Sequence, residues 1–337
     1  MPQINFSEIN HELILFALFN VIIVFMLVLD LGILTKKAGP MSIKKAGYWT
    51  LVWVSVSMLF AVFIYFYDTD PSDPTKNQTK TMEFIAGYLL EYSLSIDNLF
   101  VFIMIFQKFR IGPAYQPEIL KWGIIGAVIL RAIMILLGSA LVVKFSWILY
   151  VFGFFLIYTA FKMFTHKEDD ESFHPENNLV YKLVKKVFHV SHHDHHAHKF
   201  FVRDAGKLAV TPLFVVLCLI ETSDVMFALD SIPAVFSVTQ DPFIVYTSNI
   251  FAILGLRSLY FMISGIMDLF VHLKTGVALI LAFVGFKMIL PWVCEIFSIE
   301  KVHVPIGVSL AVIVSVLITS VLFSLPDFHK KRKHNKK

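Results

Sequence analysis

The sequence predicts an all-α, polytopic membrane protein of about nine transmembrane helices. Three observations carry this. First, 57% of the 337 residues are hydrophobic and only 16% are charged, against about 45–50% apolar and ~25% charged in ordinary soluble domains. Mean hydropathy is +0.72, and a soluble core of this length has no use for so much apolar surface. Second, the apolar residues fall in runs of about 20, the length that spans a bilayer as a helix. Third, the connections between runs alternate in charge. Net charge is only +4, so no bulk attraction to nucleic acid is expected.

The nine runs are roughly 13–34, 46–67, 82–107, 118–140, 144–164, 208–236, 244–266, 273–293 and 303–325. The first follows Glu8 and Glu12 and precedes lysines. A cleavable signal peptide has the opposite polarity, so this run is read as a spanning helix. One set of connections carries Lys36, Lys37, Lys44, Lys45, Lys108, Arg110, Lys121, the 165–207 segment, His272, Lys274 and the basic tail within 326–337. The other carries Asp68, Asp70, Asp73, Asp241, Glu295 and Glu300. By the positive-inside rule the N-terminus lies outside and the C-terminus in the cytoplasm of a multi-pass membrane protein. Trp49, Trp53, Trp122, Trp147 and Trp292 fall near span ends, as an aromatic belt requires. Cys218 and Cys294 have no pairing or zinc-type spacing and read as core-filling residues.

Spans 3–5 (82–164) and 6–8 (208–293) repeat one another. Glu91 and Asp97 recur as Asp224 and Asp230, Leu130-Arg131 as Leu256-Arg257, and Phe161-Lys162-Met163 as Phe286-Lys287-Met288. The offsets are 133, 126 and 125 residues. Three spans per unit insert the second unit upside down, an inverted-topology construction that secondary transporters use with the substrate site at the repeat interface. A structural bundle that arose by duplication is the plainer alternative.

Charge at bilayer depth narrows the reading. Glu91 lies about nine residues into its span, ~13 Å deep. Arg131, Glu221, Asp224 and Arg257 are similarly central, while Asp97 and Asp230 lie off-centre. Unpaired, these seven groups would together cost roughly 20 kcal/mol, more than a whole fold's stability of ~5–15 kcal/mol. They must face one another, water or an ion. Five carboxylates against two guanidiniums leave a formal deficit that a divalent cation, or a few protons, nearly balances. On an ideal helix Glu91, Ser95 and Asn98 share a face, with Asp97 about 120° away, and Asp230 lies nearly opposite Glu221. Straight helices cannot gather every carboxylate. Either there are two subsites, or a helix breaks, for which Pro233 is the expected place; Pro212 starts or kinks its span.

Carboxylate, amide and carbonyl oxygens suit Mg²⁺, Ca²⁺ and Mn²⁺ rather than Zn²⁺ or Cu⁺. Arg131 and Arg257 hold empty carboxylates charged, step aside for metal, or form plain structural ion pairs. Lys162 and Lys287 are expected to snorkel to the interface. His166, His174, His189, His192, His193, His195, His196 and His198 crowd the 165–207 loop. They read either as an accessory metal or pH-sensing element or as a hydrophilic linker. No Ser/His/Asp arrangement, zinc-protease helix or nucleotide loop is present, so no catalytic residue, tightly bound cofactor or enzymatic activity is expected.

The residues Gly87-Tyr-Leu-Leu-Glu91-Tyr-Ser-Leu-Ser95-Ile-Asp97-Asn98 resemble the signature of the TerC family. So do Glu221-Thr-Ser-Asp224, Phe227-Ala-Leu-Asp230-Ser-Ile-Pro233 and the run from Asp241 through Asn249 to Arg257. The resemblance covers nearly the whole chain. It implies the bacterial branch linked to manganese export and to pH or tellurite stress, with Glu91, Asp97, Asn98, Glu221, Asp224 and Asp230 carrying the ion. Tyr92 departs from that pattern, standing where a basic residue is expected. A carboxylate-lined site is unsuited to an oxyanion, whatever the family's name records. The reading is a Mn²⁺ exporter with protons as counter-ion. A Ca²⁺ transporter and a membrane-assembly scaffold are the alternatives, and an intramembrane enzyme a third.

Overall fold

The computed structural model describes residues 6–30, 41–67, 74–165, 179–190, 199–204, 207–266, 273–300, 302 and 304–334. Eleven helices and one small sheet lie among them. The chain divides into two compact units, Met1–Gly39 and Pro40–Lys337. The first contains α1 (Phe6–Val28). Its apolar helical stretch Phe19–Val28 is shorter than a span. The rest of the expected 13–34 run ends outside the described residues.

In the second unit, α2 (Ile43–Tyr67), α3 (Pro74–Lys108), α4 (Gln116–Lys144), α5 (Ile148–Thr165), α7 (Pro212–Phe236), α10 (Leu273–Ile296) and α11 (Ile306–His334) each contain a stretch long and apolar enough to cross a bilayer. An eighth crossing is broken, formed by α8 (Pro242–Ile253) and α9 (Leu256–Ile266), which meet at a 49° bend. Seven or eight such spans are thus present among the described residues, and the remaining expected run, 13–34, ends outside them.

The bundle has an apolar core and an apolar outer surface, as a lipid environment allows. On α4 the buried residues Ile119, Gly123, Ala127, Arg131, Ile135 and Ser139 form one stripe at four-residue spacing. Ile133, Leu136, Leu137 and Val143 are exposed. Apolar side chains fill both the interior and the outward face, and the charged Arg131 is kept on the buried stripe. α3 is the central helix, packed against α2, α7, α8, α9, α10 and α11. Packing between the two sequence units is reciprocal: α3 lies on α8, α4 on α7, and α5 on α10. The last pair is intimate, since a Cβ added at Gly285 would lie 2.7 Å from the Gly153 carbonyl oxygen.

The expected break at Pro233 does not occur. Pro233 falls in the last turn of α7, which runs on to Phe236, and Pro212 simply starts that helix behind Thr211. The break belongs instead to the seventh run, at Leu254-Gly255. Gly255 has φ +82, and a Cβ there would lie 2.6 Å from Trp53 Cδ1. Only glycine fits both the left-handed backbone and the indole. Trp53 is correspondingly buried and packs the bend rather than joining an aromatic belt, whereas Trp122, Trp147 and Trp292 are exposed.

The 165–207 segment is more than a linker. It contains α6 (Leu179–Val187), β1 (His189–Val190) and β2 (Phe201–Asp204), with β3 (Lys207–Val210) closing the sheet. The order is β1-β3-β2, with β1 parallel and β2 antiparallel to β3. Apart from His189, the clustered histidines lie outside the described residues.

Candidate cation site

Six predicted ligands divide between two places on α3 and α7. At the first, Glu91 of α3 and Asp224 of α7 flank Arg131 of α4. The guanidinium donates to both Asp224 oxygens, from Nε to Oδ2 at 3.2 Å and from Nη2 to Oδ1 at 2.9 Å. Its Nη1 pairs with Glu91 Oε1. Glu91, Arg131 and Asp224 are 0%, 2% and 4% exposed. Asp224 is hydrogen-bonded through both oxygens, whereas Glu91 is held by the ion pair alone and its Oε2 has no hydrogen-bond partner among the described residues. Charges this deep need such counter-charges. The triad joins three helices and both sequence units.

Glu221, one turn before Asp224 on α7, packs its carboxylate against Gly126 of α4, where a Cβ would push it aside. Among the described residues its Oε2 has no hydrogen-bond partner, and the same is true of the buried oxygens Ser95 Oγ, Ser231 Oγ and Asn249 Oδ1. Buried acceptors without donors are uncommon and call for an explanation; on α3, α7 and α8 they form a supply of hard oxygen donors.

The second place is a cavity of about 240 Å³ lined by Asp97, Asn98, Thr159, Lys162, Asp230 and Lys274, with Leu94, Met163, Phe227 and Leu281 as its apolar walls. Thr159 Oγ1 donates to Asp230 Oδ1 at 3.0 Å. Lys162 is within electrostatic reach of Asp230. Two carboxylates, an amide and a hydroxyl therefore share one space with two ammonium groups. Thr159, Lys162 and Lys274 were not singled out as site residues from sequence. The one available signal was that Thr159 and Lys162 are three apart and so share a helix face.

Lys162 lines the cavity, and Lys287 is half-buried and within electrostatic reach of Glu83 at the start of the 82–107 run. Glu83 itself accepts from Thr239 Oγ1 at 2.7 Å, beside the Lys80–Asp241 pair at 3.5 Å. Arg257 is buried in α9. Tyr92 stacks on Tyr88 with ring centroids 5.6 Å apart. Among the described residues, no three His, Cys, Asp or Glu side chains converge as a group able to hold an ion. Arg131 separates Glu91 from Asp224, and the cavity offers two carboxylates completed by Asn98 and Thr159.

A family model described as integral membrane protein TerC family matches residues 76–334, which include both places. The chain belongs to the TerC family. Like other TerC proteins it is an integral, multi-pass membrane protein. It is 44% identical over 314 residues to a Photorhabdus laumondii protein named "Putative membrane-bound redox modulator Alx", covering 93% of this chain and 94% of that one. An Escherichia coli K12 protein of the same name is 42% identical over 307 residues, covering 91% and 92%. An uncharacterized membrane protein of Myxococcus xanthus is 43% identical over 312 residues, covering 92% of each. No solved structure matches this TerC chain.

Proposed function

We propose that this TerC protein is a divalent metal-ion transporter of the bacterial cytoplasmic membrane. Its substrate is Mn²⁺, moved outward in exchange for protons. The observation that carries the reading is the cavity where Asp97 and Asn98 of one sequence unit meet Asp230 of the other, with Lys162 and Lys274 already inside. A transport site must be neutral when empty and must attract a cation when loaded. Tethered ammonium groups meet the first need and are displaced by a doubly charged ion in the second. Carboxylate, amide and hydroxyl oxygens suit Mn²⁺, Mg²⁺ and Ca²⁺.

The Glu91–Arg131–Asp224 triad then acts as the barrier beyond the cavity. Passage requires Arg131 to release the two carboxylates, which the ion or protons take over. The reciprocal pairing of α3 with α8, α4 with α7 and α5 with α10 supports alternating access, because units of an inverted repeat can exchange their packings and so open the site to either side.

The test is cellular manganese, measured by mass spectrometry after a Mn²⁺ load in cells lacking their own exporter. Cells making the intact protein are expected to hold less manganese than cells with empty vector, and Asp224→Asn cells no less than empty vector. Equal manganese in all three rejects Mn²⁺ export. The same comparison with Ca²⁺ decides for the calcium alternative, and a stress phenotype that survives Glu91→Gln with Asp224→Asn decides for a scaffold.

A further inference from the structure

The short helix α6 has no part in the cation path. Its sequence, Leu-Val-Tyr-Lys-Leu-Val-Lys-Lys-Val, separates cleanly at 100° per residue. Val180, Leu183, Val184 and Val187 fall on one arc and Tyr181, Lys182, Lys185 and Lys186 on the other. Val184 is 7% exposed, as a core contact should be, yet Leu183 and Val187 on the same arc are 63% and 64% exposed. The polar arc presents the exposed Lys182, Lys185 and Lys186 beside the half-buried Tyr181. Lys185 Nζ sits 5.9 Å from the Tyr181 ring centroid. α6 contains no acidic residue.

The position of α6 is fixed by aromatic contacts. Tyr181 lies 6.3 Å, centroid to centroid, from Phe109, just past the end of α3. Phe188 lies 5.7 Å from Phe214 in the first turn of α7, and Phe201 of β2 lies 5.0 Å from the same ring. α6 therefore rests where two spanning helices leave the apolar layer, on the side whose loops are rich in cations. Phe201 and Leu208 of the adjoining sheet are exposed there too.

We propose that α6 is a binding site for the headgroup phosphate of an anionic phospholipid. Lys182, Lys185 and Lys186 grip the phosphate, and Leu183 and Val187 enter the acyl boundary beside it. Charge complementarity selects an anion, and the adjoining exposed apolar pair selects a lipid over a free anion. Basic amphipathic helices at the interface bind anionic leaflets by both terms together. The inference is independent of which ion the protein carries.

The test uses the full chain, purified and delipidated in neutral detergent, with thermal unfolding as the readout, since a ligand of the folded state raises Tm. Short-chain phosphatidylglycerol is expected to raise Tm saturably, while phosphatidylcholine and inorganic phosphate do not. The Lys182→Gln/Lys185→Gln/Lys186→Gln variant should keep the lipid-free Tm and lose the shift. The single Lys186→Gln variant should need about fivefold more lipid. Leu183→Gln/Val187→Gln should weaken the response with all charges in place. A triple variant that responds like the intact chain overturns the proposal. So does an equal shift with phosphatidylcholine, a shift reproduced by inorganic phosphate, or a larger one with an acidic peptide.

Discussion

Glu91 and Asp224 are almost fully enclosed around Arg131, whereas Asp97 and Asp230 line an open cavity beside Lys162 and Lys274. In both sequence units the enclosed acid precedes the cavity acid by six residues. Six residues advance a helix by about 9 Å and turn it to a face about 120° away. One repeated spacing therefore places its first carboxylate in a closed ion pair and its second in an accessible space. The charges are of the same kind. What differs is whether the partner is a rigid guanidinium held by two acids or a flexible ammonium that an incoming cation can displace.

Arg131→Met is expected to break this contrast most severely. It leaves two carboxylates buried without a counter-charge, a loss of about 3–5 kcal/mol, read as a fall in Tm of the purified chain. Adding Glu91→Gln and Asp224→Asn to the same chain should recover most of that Tm, since the uncompensated charges are then gone. If Arg131→Met unfolds like the intact chain, the triad is not a buried unit.

At the cavity the expected effect lies in transport rather than stability. Asp97→Asn and Asp230→Asn should each reduce manganese efflux at least tenfold, while stability changes by about 1 kcal/mol or less. A large fall in Tm with efflux retained would reverse the roles of the two places. Lys274→Gln removes a tethered cation and should tighten Mn²⁺ binding by the purified chain about fivefold. Unchanged or weaker binding would mean that the lysine does not compete with the ion. The smallest effect is expected at the Lys80–Asp241 pair, where both side chains are about one-third exposed. Lys80→Met should alter stability by about 0–1 kcal/mol and leave efflux within twofold.

The helical, membrane-spanning character of the chain was legible because hydropathy is a local property, summed along one run. The runs at 46–67, 82–107, 118–140, 208–236 and 303–325 correspond to α2, α3, α4, α7 and α11 within a few residues at most ends. Helical angles left two subsites or a broken helix open for the acids, and they grouped Asn98 with Glu91 rather than with Asp97, whose cavity it lines. Other features were not legible. Pro233 is a strong local signal that the last turn of α7 absorbs, while Gly255 is an ordinary glycine in sequence and becomes a required one only when Trp53 packs on it. Lys287 lies near a span end by position alone, and only packing places it within electrostatic reach of Glu83 on another helix.

By itself the sequence determined a largely helical membrane protein, the acids and cations at depth, and the matched order in which two segments present them; the small sheet β1-β3-β2 was not foreseen. Tertiary structure alone decided that Arg131 takes Asp224, 93 residues away, that Thr159 takes Asp230, and that Lys162 and Lys274 share a cavity with Asp97. The reason is geometric. Periodicity fixes the direction of a side chain about its own helix axis, but which helix stands in that direction depends on packing between surfaces distant in sequence.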